Sequence, residues 1–494
     1  MTASRKELLQ RALASYIQET KKTGRDIEYV VFDDSKDAQS RSASLEVAKN
    51  ARRRFDVEVR FAGFEERAAY VRRLRDCSSL PAGVLEFGLL LTSGYTLGQN
   101  RNAMLLDSVG KLFLCVDDDT ICSPRSPPAT NEQGREICSD ADPSEFWCFR
   151  DFAEALRSAA IVEHDVLEAH EQLLGKNVAD LPLSGAHASP QDGKTSSPRL
   201  QRPENTVRVT LNGLVGDCAW GSPFGLWHEP MGYLAFTGSS LARLTRSEEI
   251  YQQAIQSRQL MRATSCRVLA DATFSMLTFW GLDNRELLPP NLPINRGQDI
   301  VFGQILWKCF DDVVFGHVPL ALVHDPVQPR RFWPGEVTRS AAGVDLCRLM
   351  VEATRLCKFH EHSCDPARRL QTLGQHLMGL AELSGKALQE KLTERLRESN
   401  RRFERVLEQQ ALEVTACSGY SSDLARFLEK LRKSEAREYY WIPFDLWSVA
   451  GPAATETRLR ETFKKFGTLL ALWPSIVKAA RELLSRGIRL SVPV

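Results

Sequence analysis

Over the first 119 residues, short apolar runs rich in β-branched residues alternate with stretches of helical period, and two of the runs end in carboxylates. Leu9, Leu13, Tyr16 and Ile17 repeat at helical spacing behind Ser4 and Glu7, a capping-box pair, so the chain opens on a helix. IEYVVFDDS (27–35) then reads as a buried strand emptying into a loop, VEVRF (57–61) as a second strand, and EERAAYVRRLRD (65–76) as a helix. GQNRNAMLLDSVG (98–110) predicts another helix closed by Gly110, and KLFLCV runs straight from it into Asp117, Asp118 and Asp119. Strands and helices in this order imply a largely parallel α/β sheet. Ligands of such sheets sit at the carboxyl ends of the strands, where both carboxylate clusters fall.

At 494 residues the chain exceeds what one core usually organises, so two or three packed units are expected. Lys plus Arg (64) and Asp plus Glu (63) nearly cancel, which removes the basic footprint that nucleic acid or an anionic membrane surface requires. No uncharged apolar stretch of about 18 residues appears, and the opening MTASRKELLQ carries no apolar run behind a basic start. No membrane span is expected, and the chain reads as cytoplasmic. Its 12 cysteines are scattered singly and irregularly, which suits reduced, mostly buried thiols. Cys357, His360, His362 and Cys364 crowd together, yet their alternation fits no usual zinc spacing.

Order weakens after the aspartate triplet. SPRSPPATNEQG (123–134) is turn-rich, 151–174 reads as an amphipathic helix ending at Gly175, and SGAHASPQDGKTSSPRLQRPEN (184–205) as a flexible linker. Sheet signals resume with TVRVTLNGLVGD (206–217), pass through a helix near 241–258 and the polar turn INRGQD, and reach VPLALVHDP, a short strand ending in His324. Beyond about residue 340 the pattern is helical, with Leu388, Leu392, Leu396, Phe403 and Leu407 on one stripe. That stripe reads as a packing face, with a homodimer seam through the C-terminal helices as the alternative. The expected division is 1–125, 126–206 (helical insertion and linker), 207–338 and 339–494 (helical).

Three consecutive aspartates at a strand end repel and raise one another's pKa unless a cation intervenes. A divalent ion is one remedy, and oxygen ligands suit Mg2+ or Mn2+; a solvated acidic turn is the other reading. Asp299, opening a helix, is by itself no more than a candidate N-cap. Gly213 and Gly216 in TLNGLVGDCAWG permit close backbone approach beside Asp217 and Trp220, either to a ligand or in a plain strand turn. The aromatic run YYWIPFDLW (439–447) reads chiefly as core.

Four segments taken together resemble GT-A-fold glycosyltransferases of the inverting, family-2-like kind. GQNRNAMLLDSVGKLFLCVDDDT resembles the stretch leading to the DxD motif, and IEYVVFDDSKD the earlier strand ending at the nucleobase pocket. RGQDIVFGQIL resembles the acidic motif opening a helix, and ALVHDP the strand-end histidine that closes a metal's coordination. The order matches across about residues 1–330. The resemblance implies a GT-A-like (Rossmann-like) mixed sheet flanked by helices, with a mainly α-helical C-terminal region. It implies Asp34 on the nucleobase, Arg101 near the donor nucleotide, Asp117 on the ribose with Asp118 sharing donor contacts, and Asp119 and His324 as ligands of Mn2+ or Mg2+. Asp299 would be the catalytic base, with Gln298 standing where the family commonly has Glu.

The implied activity is transfer of a hexose or N-acetylhexosamine from a nucleoside diphosphate sugar, UDP-sugar favoured, to an acceptor the sequence does not name. A nucleotidyltransferase and an inactive transferase-like scaffold are the rivals. In this fold a strand normally precedes the helix leading to the nucleobase pocket. Met1 falls almost at the cap of the first helix, so an upstream extension is expected to improve stability or donor affinity.

Overall fold

The computed structural model describes residues 1–128, 137–139, 142–181, 197–227, 229–273, 279–333, 335–359, 364–414 and 416–494. Its first quarter runs α1 (Lys6–Lys22), β1 (Tyr29–Phe32), α2 (Ala38–Phe55), β2 (Val59–Ala62), α3 (Phe64–Asp76), α4 (Ala82–Leu89), α5 (Leu97–Asp107), β3 (Leu112–Val116) and β4 (Thr120–Ser126). The middle carries β5 (Ile137–Ser139), β6 (Glu145–Cys148), α6 (Phe152–Ser158), β7 (Ala160–Ile161), α7 (Val166–Glu171) and the long β8 (Thr206–Asp217). Then come β9 (Phe224–Leu226), β10 (Pro230–Gly232), α8 (Gly238–Leu244), α9 (Glu248–Ala254), β11 (Gln259–Ala263), β12 (Val268–Ala270), β13 (Phe279–Asp283), α10 (Gln298–Cys309) and β14 (Val313–His324). Helices α11 (Leu346–Leu356), α12 (Pro366–Glu382), α13 (Gly385–Glu413), α14 (Ser418–Glu435) and α15 (Pro452–Ser485) follow, with β15 (Val492–Pro493) at the end.

The architecture is mixed α/β with a mainly helical C-terminal region. A ten-stranded sheet follows the path β3-β13-β8-β14-β12-β5, and a three-stranded one the order β1-β2-β15. The parallel sheet expected from the early alternation is found between β1 and β2 and between β8 and β14, whereas β3, β4, β11 and β13 pair antiparallel. The reason is the second half of the chain, which returns strands into the sheet without a helical crossover for each.

The segment 126–206, expected as a helical insertion, also feeds the sheet, because β6 lies antiparallel to β11 and β5 parallel to β12. The helix expected over 151–174 is two short helices separated by β7, capped by Asp151 and Asp165. Residues 184–196 of the expected linker lie outside the described residues. The opening helix forms as its stripe predicts, with Leu9, Leu13, Tyr16 and Ile17 buried, but its N-cap is Arg5 and no side chain caps it. Ser4 instead donates its backbone N–H to Ser35 Oγ at 2.8 Å.

Helix α5 is interior throughout, polar Gln99, Asn100, Arg101 and Asn102 included. Gly98 at its start is obligatory, since a Cβ there would lie 1.9 Å from the Leu292 carbonyl oxygen. One apolar core joins Phe32 and Met104 to Val301 of α10, Leu388 of α13, Phe466 of α15 and Leu490. The leucine stripe of α13 is buried inside the chain, so it is a packing face and no free seam. The cysteines whose side chains are described are free thiols, most of them buried. Among the described residues, no helix is long and apolar enough to cross a membrane.

Candidate functional site

The strand ends named by the sequence converge. β14 lies between β8 and β4, and its register sets His324 opposite Gly216 on one side and Thr120 on the other. Gly216 adopts φ +121°, and a Cβ there would stand 2.3 Å from the His324 carbonyl oxygen. The close approach allowed by this glycine is thus between two strands of the protein itself. It draws Asp119, just ahead of Thr120, to His324: Asp119 Oδ1 lies 3.4 Å from His324 Nε2 although 205 residues separate them. The Asp119 carbonyl accepts from the Asp325 N–H at 2.8 Å, which fixes the two loops together.

His324 is fully enclosed, and its Nδ1 bonds the Asp217 carbonyl. A proton on Nδ1 leaves Nε2 as the nitrogen presented to Asp119, the arrangement in which an imidazole can bind a metal. Without an ion the two side chains form a pair. Burial pulls the imidazole pKa down, but the hydrogen bond and charge of Asp119 outweigh it and leave the histidine raised. Burial likewise pushes Asp119 up, and His324 and Arg5 overcome that to hold it well below the carboxylate range. The Asp217 carboxylate takes no part: Arg258 grips it at 3.0 and 3.2 Å, Arg330 at 3.0 and 2.8 Å.

The triplet follows β3 and turns before β4, and its three side chains meet different surroundings. Asp117 keeps 20 % of its side chain exposed and lies 3.7 Å from Arg101 Nη2. Asp118 turns inward with no exposure, accepting from Thr2 Oγ1 at 2.6 Å and Arg5 Nε at 3.1 Å. Burial dominates its titration and pushes it up to about 6 against the pull of Arg5 and Thr2. Arg5 also reaches Asp119 Oδ2 at 2.9 Å. The charge on the triplet, for which a divalent ion is one remedy, is therefore met in part by a guanidinium. Neither Arg5 nor Thr2 carries a signal in the sequence.

Asp34 ends β1 in a saturated environment. Its Oδ1 accepts from Gln99 Nε2 at 2.9 Å and Arg67 Nη2 at 3.2 Å, and its Oδ2 from Thr96 Oγ1 at 2.6 Å. It ties β1 to α3 and to the start of α5, and a nucleobase would have to share it. Arg101 differs. It is 4 % exposed, and its Nε and Nη1 have no hydrogen-bond partner in the protein. Buried N–H groups of a cation without acceptors are costly.

Asp299 stands in the first turn of α10, partly exposed, behind Gly297, which caps the helix in the left-handed region at φ +81°. The cap reading of Asp299 is thus a correction: glycine, not Asp299, occupies the N-cap. Gln298 beside it is buried. The loop leading to α10 lies over the start of α5, through Asn295 N–H to the Tyr95 carbonyl at 3.0 Å and Asn102 to the Asn291 carbonyl at 3.1 Å. Of the aromatic run, Tyr440 and Trp441 are buried while Tyr439, Phe444 and Trp447 face solvent. Cys357 is buried and Cys364 exposed, and His360 and His362 lie outside the described residues.

Among the described residues, no three His, Cys, Asp or Glu side chains gather closely enough to hold an ion on their own. Asp119 and His324 supply two donors, so any ion here depends on a ligand for the rest of its shell. Comparison with protein-family models, with curated proteins and with solved structures found no match.

Proposed function

We propose that this chain is an inverting, metal-dependent glycosyltransferase of GT-A type, acting on a nucleoside diphosphate sugar, with a UDP-sugar favoured as donor. One observation carries the reading: Asp119 Oδ1 and His324 Nε2 meet at 3.4 Å at the ends of β14 and β4, with His324 Nδ1 already committed to the Asp217 carbonyl. These are the two donors that would hold Mg2+ or Mn2+, and a carboxylate with one imidazole suits either. When bound, the ion would neutralise charge developing on the departing diphosphate.

The chain's own groups do the rest. Arg101, 3.7 Å from Asp117, lies beside the donor nucleotide, Asp117 retains exposure for a ribose hydroxyl, and Asp34 and Asp118 hold the two strand ends in place. Asp299 takes the proton of the acceptor hydroxyl as that oxygen attacks the anomeric carbon from the face opposite the leaving diphosphate, so the configuration inverts. Acceptor identity rests with the loops around α10.

The rival favoured by a specific observation is a binding scaffold, because Arg5 already pairs with both Asp118 and Asp119. Thermal unfolding with UDP and other nucleoside diphosphates, with and without Mn2+, separates the two. A ligand at about a hundred times its Kd stabilises the native state by about 2.7 kcal/mol. The transferase reading expects a Mn2+-dependent rise in Tm for wild type that Asp119→Ala abolishes, together with release of nucleoside diphosphate from the donor sugar. Wild type indifferent to every nucleotide and metal would sink it, and release of pyrophosphate would point to a nucleotidyltransferase.

A further inference from the structure

Exposed aromatic side chains collect on the loops around the start of α10. Of the run 439–447, Tyr440 and Trp441 enter the core, but Phe444 and Trp447 keep 53 % and 49 % of their surface. A single 3₁₀ turn over Phe444–Leu446 carries them, and residues three apart in such a turn eclipse, so both rings leave on one side. A third ring, Tyr95, 57 % exposed, stands in the loop ahead of α5.

Hydrogen bonds tie these rings to one turn. Asn295 donates its N–H to the Tyr95 carbonyl at 3.0 Å and its side-chain amide to Asp445 Oδ2 at 2.9 Å, so it joins the loop of Tyr95 to the turn of Phe444 and Trp447. Asn295 has φ +63° and Gly297 φ +81°. Left-handed backbone at a residue with a side chain is costly, and it persists where the surroundings fix it to present something. The Leu346 N–H donates to Asp445 Oδ1 at 2.8 Å and the Cys347 thiol to the Gly297 carbonyl at 3.1 Å, so the start of α11 holds Asp445 against the turn from which α10 leaves. Asp299 follows two residues after Gly297, which sets the rings beside the proposed base.

Polar groups are set between the rings. The Arg296 guanidinium lies 4.7 Å from the centre of the Tyr95 ring and donates to its hydroxyl at 2.6 Å, and both Arg296 and Asp445 are exposed. A lipid surface would have to strip water from this cation and this carboxylate, so the strip is ill suited to one. It suits a neutral ligand with an apolar C–H face to lie on a ring and hydroxyls at its edge, which donate to Asp445 and accept from Arg296. That is the chemistry of a pyranose. We propose that Tyr95, Phe444 and Trp447, with Asn295, Arg296 and Asp445, form a binding rim for a neutral glycan. Resting on the transferase reading, that glycan is the acceptor, held so that one of its hydroxyls meets Asp299; the rim itself needs neither donor nor metal.

The test is calorimetric titration of the 494-residue chain, without nucleotide or metal, with the neutral tetrasaccharides of cellulose, chitin, starch, laminarin and mannan. At least one is expected to bind, and the double variant Phe444→Ala, Trp447→Ala to bind it at least about tenfold more weakly with Tm unchanged. Should the double variant lose its cooperative transition, Trp447→Phe and Trp447→Ser carry the comparison: the first is expected to keep the affinity and the second to lose it. No tetrasaccharide bound, or affinity equal with and without the rings, overturns the proposal. Adsorption to phosphatidylcholine–phosphatidylserine vesicles that the ring substitutions abolish, with no saccharide bound, assigns the rim to a membrane and refutes the glycan. Saccharide binding in a protein indifferent to nucleoside diphosphates and Mn2+ upholds the rim and sinks the transferase reading, whereas a nucleotide response without saccharide binding sinks the rim alone.

Discussion

Arg5 is a surface-derived cation doing the work of a counter-ion inside the site, and it makes the two readings of the triplet separable at a single residue. Its side chain is 43 % exposed while Asp118 has none, so breaking the pair strands a buried carboxylate that retains only the Thr2 hydroxyl. Breaking a fully buried pair is worth about 3–5 kcal/mol, and the exposure of Arg5 reduces this to about 1–3 kcal/mol for Arg5→Ala. If the triplet also binds a metal, Mn2+ restores more of the lost stability in R5A than it adds to wild type. Thermal unfolding of both proteins with and without Mn2+ decides it, and equal increments would mean that no ion competes for Asp119. Arg101 tests the opposite balance. Its two unpartnered N–H groups are a burden on the unliganded protein, of about 1–3 kcal/mol by the usual penalty for unsatisfied buried donors. Arg101→Met, which keeps the volume, is expected to leave urea stability unchanged or raised while weakening nucleoside diphosphate binding at least about tenfold. A variant that loses stability and keeps its nucleotide affinity would make Arg101 structural.

Among the elements, β8 and β14 do most to place the site, and they enclose two histidines whose titration can be measured. His170 of α7 sits between Thr210 Oγ1 and Asn212 Oδ1 at 2.7 and 3.1 Å, and His317 lies in β14. Burial holds both imidazoles neutral, with pKa values pushed down from 6.5 to about 4. Above pH 6.5 the folded and unfolded chains bind the same protons at these sites and nothing depends on pH. As the pH falls from 6.5 towards 4 the unfolded chain takes up protons that the native one refuses, so stability falls by up to about 1.4 kcal/mol per unit for each histidine. His170→Gln should give a shallower loss of stability between pH 7 and 5 in urea titrations, and a slope identical to wild type would show that His170 is charged when folded. The strands that carry these groups were legible where period and length agreed. TVRVTLNGLVGD is β8 residue for residue, and His324 ends its strand as ALVHDP suggests. β4 was hidden by Pro124, which the sheet accepts because it is the proline carbonyl that pairs, with the Val162 N–H at 3.1 Å. Arg5 and Thr2 were illegible for another reason: a contact between residues 113 to 116 positions apart leaves no periodic trace.

At the scale of the whole molecule, the two ends of the chain are fastened to the same small sheet. β15 lies antiparallel to β2, pairing Val492 with Phe61 and Pro493 with Arg60. Just ahead of it, Arg489 reaches Glu28 at 2.6 Å and Asp107 at 2.7 Å, and the Ser491 N–H donates to Asp107 at 2.8 Å. Asp107 closes α5, the helix that carries Arg101, so the last six residues brace the nucleotide side of the proposed site from behind. A strand of two residues has no pattern that a sequence reading could have detected. Because one apolar core runs from Phe32 through α13 and α15 to Leu490, the helical region and the sheet cannot lose their packing independently. The whole chain is expected to melt in a single calorimetric transition. Deleting residues 489–494 removes the two ion pairs of Arg489, leaves Asp107 buried without its partners, and opens the outer edge of β2. Truncation should therefore cost about 3–5 kcal/mol, the range for breaking a buried pair, and speed amide exchange at Arg60 and Phe61. The transition should move down in temperature yet remain single. Two resolved transitions in the intact protein, or a truncated form that melts with wild type, would mean that sheet and helices are separate units and that the C-terminal strap carries no load.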